Sequence, residues 1–250
     1  MDKLLKDRVA LIVGASRGIG AATAKLFAAE GAKVVLSARG EEALKALCES
    51  IKAAGGEAVC GVSDAADLST LAPLAELAIR TFGRIDILVY CTGIALREPT
   101  LEMDADKWDR VMRTNLTAAV EISRICLRHF LEQGGGRIVY VSSTAGKSVN
   151  MGASPSYGAS KAGMIYLTRH LATEFAKENI RVNAVCPGPV DTEITKTWTP
   201  EHRAKVLANL PTGRMSTPED IANAILFLAS PMADQITGES LMVNGGRFMD

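Results

Sequence analysis

The chain has 250 residues, 48% of them hydrophobic, and its 28 basic and 28 acidic side chains cancel. A balanced charge without a long run of one sign argues against a nucleic-acid or membrane-surface partner. No apolar run approaches the ~20 residues that span a bilayer, and the N-terminal segment lacks the apolar stretch of a signal peptide. Five scattered cysteines are expected to be reduced thiols of a cytoplasmic protein, and three isolated histidines predict no metal site.

Short apolar runs alternate with longer helical patterns along the whole chain. Strands are predicted at 9–13, 33–37, 58–62, 85–90, 137–142, 181–186 and 240–243. Helices are predicted at 18–30, 41–54, 67–82, 104–133, 155–178 and 218–230. The alternation predicts an α/β fold, a doubly wound parallel seven-stranded sheet with helices on both faces. No linker or repeat divides the chain, so we expect one domain over 1–250, with the irregular stretch of about 188–217 as a substrate lid.

A glycine-rich turn follows the first predicted strand and leads into the first predicted helix. Its sequence runs Gly14-Ala-Ser16-Arg17-Gly18-Ile19-Gly20. Such a turn lets the backbone approach a pyrophosphate, and the helix N-terminus supplies free N–H groups and a positive dipole. The spacing Gly-x3-Gly-x-Gly is a variant of the dinucleotide-binding pattern.

The end of the second predicted strand indicates which dinucleotide is bound. An NAD enzyme places an acidic residue there to accept from the ribose hydroxyls. Here the strand ends in Ser37-Ala38-Arg39, and Arg17 in the glycine turn is a second basic group. Two guanidinium groups can hold a 2′-phosphate by charge-assisted hydrogen bonds. The sequence therefore predicts NADP(H) rather than NAD(H).

Tyr157 and Lys161 lie four residues apart in the fifth predicted helix and share one of its faces. A neighbouring ammonium favours phenolate, so we expect Lys161 to lower the tyrosine pKa from its usual value near 10. A tyrosine tuned in this way can exchange a proton with a carbonyl or alcohol oxygen while nicotinamide carries the hydride. Taken alone, the Tyr-x3-Lys spacing is a weak signal.

Together these motifs resemble the short-chain dehydrogenase/reductase family, whose fold is Rossmann-like, over essentially the whole chain. The resemblance implies a catalytic set of Asn115, Ser143, Tyr157 and Lys161, in which Ser143 steadies the substrate oxygen and Asn115 orders a water behind the lysine. It further implies that Thr192 meets the nicotinamide carboxamide. The implied cofactor contacts are Gly14, Ser16, Arg17, Gly18, Ile19, Gly20, Arg39, Val62, Gly93, Tyr157, Lys161, Pro187, Gly188, Val190 and Thr192.

Two positions depart from the family pattern. The usual Asn-Asn-Ala-Gly after the fourth strand is Tyr90-Cys91-Thr92-Gly93 here, so the asparagine hydrogen bonds that brace the sheet must be replaced. The acidic residue that often faces adenine after the third strand is Gly61, and Asp64 lies three residues later. Neither departure touches hydride or proton transfer.

Members that reduce 3-oxoacyl groups on a carrier protein are the nearest in appearance, beside sugar, polyol and steroid-type alcohol dehydrogenases. Carrier docking needs a basic patch at the mouth of the site, but the expected charges are missing at Gly134 and Glu178. A mostly apolar pocket is predicted instead, which favours a medium-sized ketone over a phosphorylated sugar. Its expected walls are Leu96, Met151, Pro155, Thr192, Ile194, Trp198 and Met215.

Two further expectations concern class and assembly. A non-catalytic dinucleotide sensor on the same fold is the rival class, but the implied catalytic residues are all present. The helices predicted at 104–133 and 155–178 carry apolar residues on more than one face, which indicates a homodimer or homotetramer. The partners expected are therefore a small carbonyl or alcohol substrate and further copies of the chain.

Overall fold

Seven apolar strands form one sheet in which every neighbouring pair is parallel, in the order β3-β2-β1-β4-β5-β6-β7. The structure, a computed structural model, describes residues 3–193 and 195–249. The strands are β1 (Val9–Val13), β2 (Lys33–Ala38), β3 (Glu57–Val62), β4 (Ile87–Tyr90), β5 (Gly136–Val141), β6 (Ile180–Pro187) and β7 (Ser240–Val243). All seven predicted strands are confirmed, with ends displaced by at most two residues.

Helices cover both faces of this sheet. They are α1 (Gly18–Ala29), α2 (Glu41–Ala53), α3 (Ala72–Phe82), α4 (Ala105–Met112), α5 (Ala118–Glu132), α6 (Pro155–Phe175), α7 (Pro200–Ala208) and α8 (Pro218–Ala229). Successive side chains of a strand point to opposite faces, so β1 contributes to two cores. Ala10 and Ile12 pack in the core with α1, α2 and α8, while Leu11 and Val13 pack in the core with α3, α5 and α6.

The single helix predicted at 104–133 is wrong in one respect, because a π-helical turn at Arg113–Thr117 separates α4 from α5. The turn inserts an extra residue into the helix and rotates the side chains that follow it. Asp104 caps the beginning of α4, where its Oδ1 accepts from the Lys107 backbone N at 2.7 Å. Asn115 lies in the middle of the π turn.

The helix predicted at 67–82 begins later than expected. A 3₁₀ turn at Leu68–Thr70 precedes it, and α3 starts at Ala72 with a proline in its first turn. Proline is favoured there because its missing N–H would have no helical partner.

The sheet order reverses between β1 and β4, which is the point where open α/β sheets bind ligands at the carboxyl ends of their strands. The segment after β6 leaves the sheet and returns, and its two ends are joined where the Asp191 N–H donates to the Ser216 carbonyl at 2.8 Å. It carries α7, while the predicted pocket residue Ile194 lies outside the described residues. Among the helices described, none has the length and apolarity needed to cross a bilayer.

Candidate active site

A cleft of about 1930 Å³ opens at the carboxyl ends of the strands, at the place where the sheet order reverses. The loops that follow β1, β2 and β3 line one end of it. The loops that follow β4, β5 and β6 line the other end, together with the segment that carries α7. A single cleft therefore receives both groups of residues that the sequence analysis singled out, the glycine turn and the Tyr157/Lys161 pair.

The glycine turn has a backbone that other residues could not adopt. Gly14 and Gly18 have φ angles of +90° and +54°, in the left-handed region that favours glycine. A side chain on Gly20 would collide with the Gly14 carbonyl oxygen. The first residue flanking α1, Arg17, has an extended backbone and gives no side-chain cap, so the first N–H groups of the helix remain available to a ligand. These features fit the pyrophosphate of a dinucleotide.

The carboxyl end of β2 offers guanidinium groups and no acid. Arg39 follows β2, Arg17 stands in the glycine turn, and both are exposed side chains that line the cleft. Neither makes an ion pair within the described ranges. The Ser37 hydroxyl, at the end of β2, is buried and hydrogen-bonded to the Ser63 hydroxyl, so it is turned into the protein.

Tyr157 and Ser143 meet at the other end of the cleft. Tyr157 lies in the first turn of α6, which Ser154 caps by accepting from the Tyr157 N–H. Ser143 follows β5, and its hydroxyl lies beside the Tyr157 hydroxyl. Burial raises the pKa of Tyr157, and the polar interaction with Ser143 offsets part of that rise. The phenol is therefore protonated at neutral pH.

Lys161 lies one turn further along α6 and is almost fully buried. Its Nζ donates to the Val141 carbonyl oxygen at 2.8 Å and lies 5.8 Å from the centroid of the Tyr157 ring. Burial lowers the pKa of Lys161 to about 8. The neighbouring thiols of Cys91 and Cys186 are neutral at pH 7, because burial raises their pKa values to about 12 and about 11.

The expectation that Lys161 lowers the pKa of Tyr157 is wrong for the chain as described. The ammonium points to the Val141 carbonyl and stands over the ring at a distance, whereas desolvation acts directly on the phenol. Burial moves the two pKa values apart, raising that of Tyr157 and lowering that of Lys161 to about 8, since it disfavours the charged form of each. Both groups therefore hold their protons near pH 7.

Asn115 is fully buried behind the cleft and joins three segments. Its Oδ1 accepts from the Ile94 N–H at 2.8 Å, and its Nδ2 donates to the Ile94 carbonyl and to the Ser160 Oγ, each at 3.0 Å. A Cβ on Gly93 would lie 3.3 Å from the Lys161 Nζ and 3.5 Å from the Asn115 Oδ1. Asn115 and Lys161 therefore border the same small space beneath Gly93.

Tyr90, which replaces the first asparagine of the family pattern, makes a hydrogen bond that holds the π turn against the sheet. It is fully buried at the end of β4, and its hydroxyl donates to the Thr114 carbonyl in the π turn at 2.6 Å. Cys91 continues the backbone pairing with Val13, at 2.8 Å. The phenol thus holds the backbone immediately before Asn115, and this contact could not be found from the family motif because the residue type differs.

Most of the expected cofactor contacts line the cleft. Those that do are Gly14, Ser16, Arg17, Gly18, Ile19, Gly20, Arg39, Gly93, Tyr157, Lys161, Pro187, Gly188, Val190 and Thr192. Val62 does not; it ends β3 with 53% of its surface exposed, while its neighbour Ser63 lines the cleft. Thr192 faces the glycine turn, since its Cγ2 lies 3.6 Å from the position of a Cβ on Gly18.

The predicted apolar pocket is only partly formed. Met151, Pro155 and Trp198 line the cleft as expected. Met215 instead packs in a small core with Val206 and Leu210, and Leu96 is absent from the described cleft wall. Arg97, the residue after Leu96, lines the cleft in its place.

Comparison with known proteins places this geometry in a family. A family model described as enoyl-(acyl carrier protein) reductase matches residues 14–247. The chain is 38% identical to the 3-oxoacyl-(acyl-carrier-protein) reductase FabG of Escherichia coli K12, over 98% of both chains. The chain belongs to the short-chain dehydrogenase/reductase family. As a member it is an oxidoreductase acting on a ketone or alcohol, and its cofactor is a nicotinamide dinucleotide.

Two further relatives act on ring compounds by name. A cis-4-hydroxycyclohexanecarboxylate dehydrogenase of Sinomonas cyclohexanicum is 40% identical over 98% of both chains. A 7α-hydroxysteroid dehydrogenase, solved with NADH and 7-oxo glycochenodeoxycholic acid, superposes with a TM-score of 0.94 at 36% identity, over 98% of this chain and 96% of that one. These structures and sequences share the whole fold with this chain.

Gly20→Ala tests the glycine turn. The added Cβ would force the backbone at Gly14 to move, at a cost of about 1–3 kcal/mol. We expect a lower melting temperature and a dissociation constant for the reduced nicotinamide dinucleotide that rises roughly tenfold, as 1.4 kcal/mol corresponds to a factor of ten. The constant is measured by titrating the fluorescence of the reduced nicotinamide.

Gly40→Ala is the matched control, because a Cβ there meets nothing within 4 Å and its φ of −81° suits alanine. Equal affinities of the two variants for the reduced dinucleotide would contradict the role given to Gly20.

Proposed function

We propose that the protein interconverts a ketone and a secondary alcohol with NADP(H), and that Tyr157 is the general acid and base. The observation that carries the proposal is that Tyr157, Ser143 and the buried Lys161 line the same cleft as the glycine turn. Nicotinamide, when bound, supplies or accepts the hydride. The segment of about 188–217, which contributes Thr192 and Trp198 to the cleft, is proposed as the substrate lid.

The proton chemistry follows from the protonation states of the two buried groups. Ser143 donates a hydrogen bond to the substrate oxygen, and Tyr157, whose pKa burial raises, gives that oxygen its proton during reduction. Lys161, with a pKa of about 8, is the next group that can return a proton to the phenolate. Asn115 and Gly93 border the space beside the Lys161 Nζ, which suits a proton relay through a water held by Asn115. Oxidation of an alcohol runs the same transfers in reverse.

Tyr157→Phe tests the general acid. Removal of the hydroxyl takes away the proton donor while the ring keeps its packing, so kcat for ketone reduction should fall by about 10²–10⁴. NADPH binding, measured by fluorescence titration, should change little. Tyr166→Phe is the matched control, since Tyr166 lies on the same helix with 65% of its surface exposed. A Tyr157→Phe variant with the parent kcat would refute the mechanism.

The choice of NADP(H) rests on Arg17 and Arg39, which line the cleft without carboxylate partners among the described residues. The NADH in the hydroxysteroid dehydrogenase structure belongs to that protein. Arg39→Ala and Arg17→Ala should each raise the KM for NADPH roughly tenfold, because a hydrogen bond to a charged group contributes about 1.5–3 kcal/mol. The KM for NADH should stay nearly constant. Equal kcat/KM for NADPH and NADH in the parent would overturn the assignment.

Tyr90 is proposed as a positioning residue for Asn115, and Tyr140 provides its control. The two tyrosines are opposite each other in β4 and β5, both are fully buried, and the Tyr140 hydroxyl pairs with the Ser123 hydroxyl at 2.6 Å. Tyr90→Phe and Tyr140→Phe should each cost about 1–3 kcal/mol of stability in urea unfolding. Tyr90→Phe alone should lower kcat, because it frees the Thr114 carbonyl next to Asn115.

The pH dependence of ketone reduction distinguishes a positioning role of Tyr90 from a general loss of stability. Ketone reduction needs protonated Lys161, so its rate should fall as pH rises through about 8. If the π turn shifts in Tyr90→Phe, water reaches Lys161 and its ammonium is less desolvated. The pKa of Lys161 then rises, and the descending limb of the rate profile moves to higher pH. The limb of Tyr140→Phe should stay where it is in the parent. Identical limbs in both variants would contradict the positioning role.

Two substrate classes deserve a direct assay. FabG relatives are named for 3-oxoacyl groups on a carrier protein, and the Sinomonas relative for a cyclohexane carboxylate. A screen of NADPH oxidation with acetoacetyl thioesters and with 4-oxocyclohexanecarboxylate covers both. Exposed Glu178 and Gly134, the positions that argued against a carrier protein, precede β6 and β5 and so lie at the end of the sheet opposite the cleft.

A further inference from the structure

Basic side chains line the cleft beyond the expected cofactor contacts, although the chain as a whole has no net charge. They are Arg97, Arg110, Lys147 and Arg247, and the acidic residues of the cleft lining are Asp64, Glu98 and Glu193. Glu98, the residue next to Arg97, already pairs with another cation, since its Oε1 lies 2.9 Å from the Lys107 Nζ.

Arg97 is the cation of this group with a defined position and no acidic partner. Its guanidinium carbon lies 5.7 Å from the centroid of the Trp198 ring. Such stacking attracts the cation to the ring face and leaves the N–H groups at the guanidinium edge free to bind oxygen atoms. Among the described residues it makes no ion pair and no side-chain hydrogen bond.

Trp198 is itself held in place from a second side. The His202 ring meets it edge-on at 4.8 Å, and the indole Nε1 is buried without an acceptor in the described part of the chain. Trp198 therefore contacts both Arg97 and His202 while it lines the cleft. A guanidinium fixed on a packed ring loses less freedom on binding than one on a mobile side chain.

We propose that Arg97, seated on Trp198, is a subsite for an anionic group that the substrate carries away from its reacting carbonyl. The subsite deepens the proposed function, on which it rests, by defining the substrate class as ketones or alcohols with an acidic tail. A carboxylate matches the guanidinium edge by two parallel hydrogen bonds, and a phosphate offers the same geometry. Arg110 and Arg247 add positive charge to the same cleft, and Arg97 fixes the register of the substrate.

Matched substrates with and without the charge measure the subsite. One pair is 4-oxocyclohexanecarboxylate and its methyl ester; the other is acetoacetyl-CoA and the neutral acetoacetyl-N-acetylcysteamine. Arg97→Gln should raise the KM of the charged member roughly tenfold to hundredfold, as expected for the loss of a charge-assisted contact, and leave the neutral member nearly unchanged. The pair that responds identifies the carboxylate or the phosphate as the natural anion.

Two variants distinguish a specific contact of Arg97 with the substrate anion from a general electrostatic attraction by the positive charges of the cleft. Arg110→Gln removes an equal charge from the same cleft and should have a much smaller effect on the charged substrates. Arg97→Lys keeps the charge without the planar edge and should fall between the parent and Arg97→Gln. If Arg110→Gln and Arg97→Gln raise the KM equally, or if acid and ester respond alike to Arg97→Gln, the subsite does not exist.

A binding measurement keeps this result separate from catalysis. Trp108 and Trp198 are the two tryptophans of the chain, so a Trp108→Phe background makes Trp198 the sole indole reporter. Titration with cyclohexanecarboxylate should change its fluorescence, and the methyl ester should do so only at much higher concentration. The response should vanish in Arg97→Gln. Failure of the parent to reduce any ketone would refute the proposed function, whereas absence of the fluorescence response would refute the subsite.

Discussion

The site depends on the burial of one cation, the ammonium of Lys161. A buried charge is costly unless protein dipoles replace the water that it has lost. The Val141 carbonyl at the end of β5 accepts its hydrogen bond, and the hydroxyl of the next residue, Ser142, donates to the Lys161 carbonyl at 2.9 Å. The strand and helix α6 are therefore fixed to each other at the point where Tyr157 enters the cleft. The low pKa of the lysine is the consequence of this enclosure.

The strands and their order of appearance could be predicted because buried parallel strands are continuously apolar. The glycine turn and the pair on α6 could be predicted because close approach and helical spacing restrict residue type strongly. The π turn at Arg113–Thr117 could not, since its extra residue is stabilised by a tertiary contact, the hydroxyl of Tyr90 on the Thr114 carbonyl. A π turn of five residues is too short to change the periodicity of apolar residues in the sequence.

The cleft walls were predicted less well than the reacting centre. Apolar residues such as Met215 serve equally in a small core and in a pocket, and only packing decides between them. The pKa of Tyr157 is expected to fall from the sequence because the helical spacing brings Lys161 close to it. The spacing does not show where the Lys161 ammonium points or how deeply the Tyr157 hydroxyl is buried. The Lys161 Nζ donates to a backbone carbonyl, and a contact of this kind cannot be predicted from residue types because every residue has a carbonyl.

The hydrogen bond between the Ser37 and Ser63 hydroxyls restricts which substitutions can change the cofactor preference of this fold. Both hydroxyls are buried, so an aspartate at position 37 would have to bury its carboxylate against Ser63, the residue that follows β3. An acidic group that is to reach a ribose has room only further on, at the cleft-lining positions Ala38 and Arg39. Exchange of one dinucleotide for another thus requires substitutions at the last residue of β2 and in the loop after it, while the interior of the sheet stays as it is.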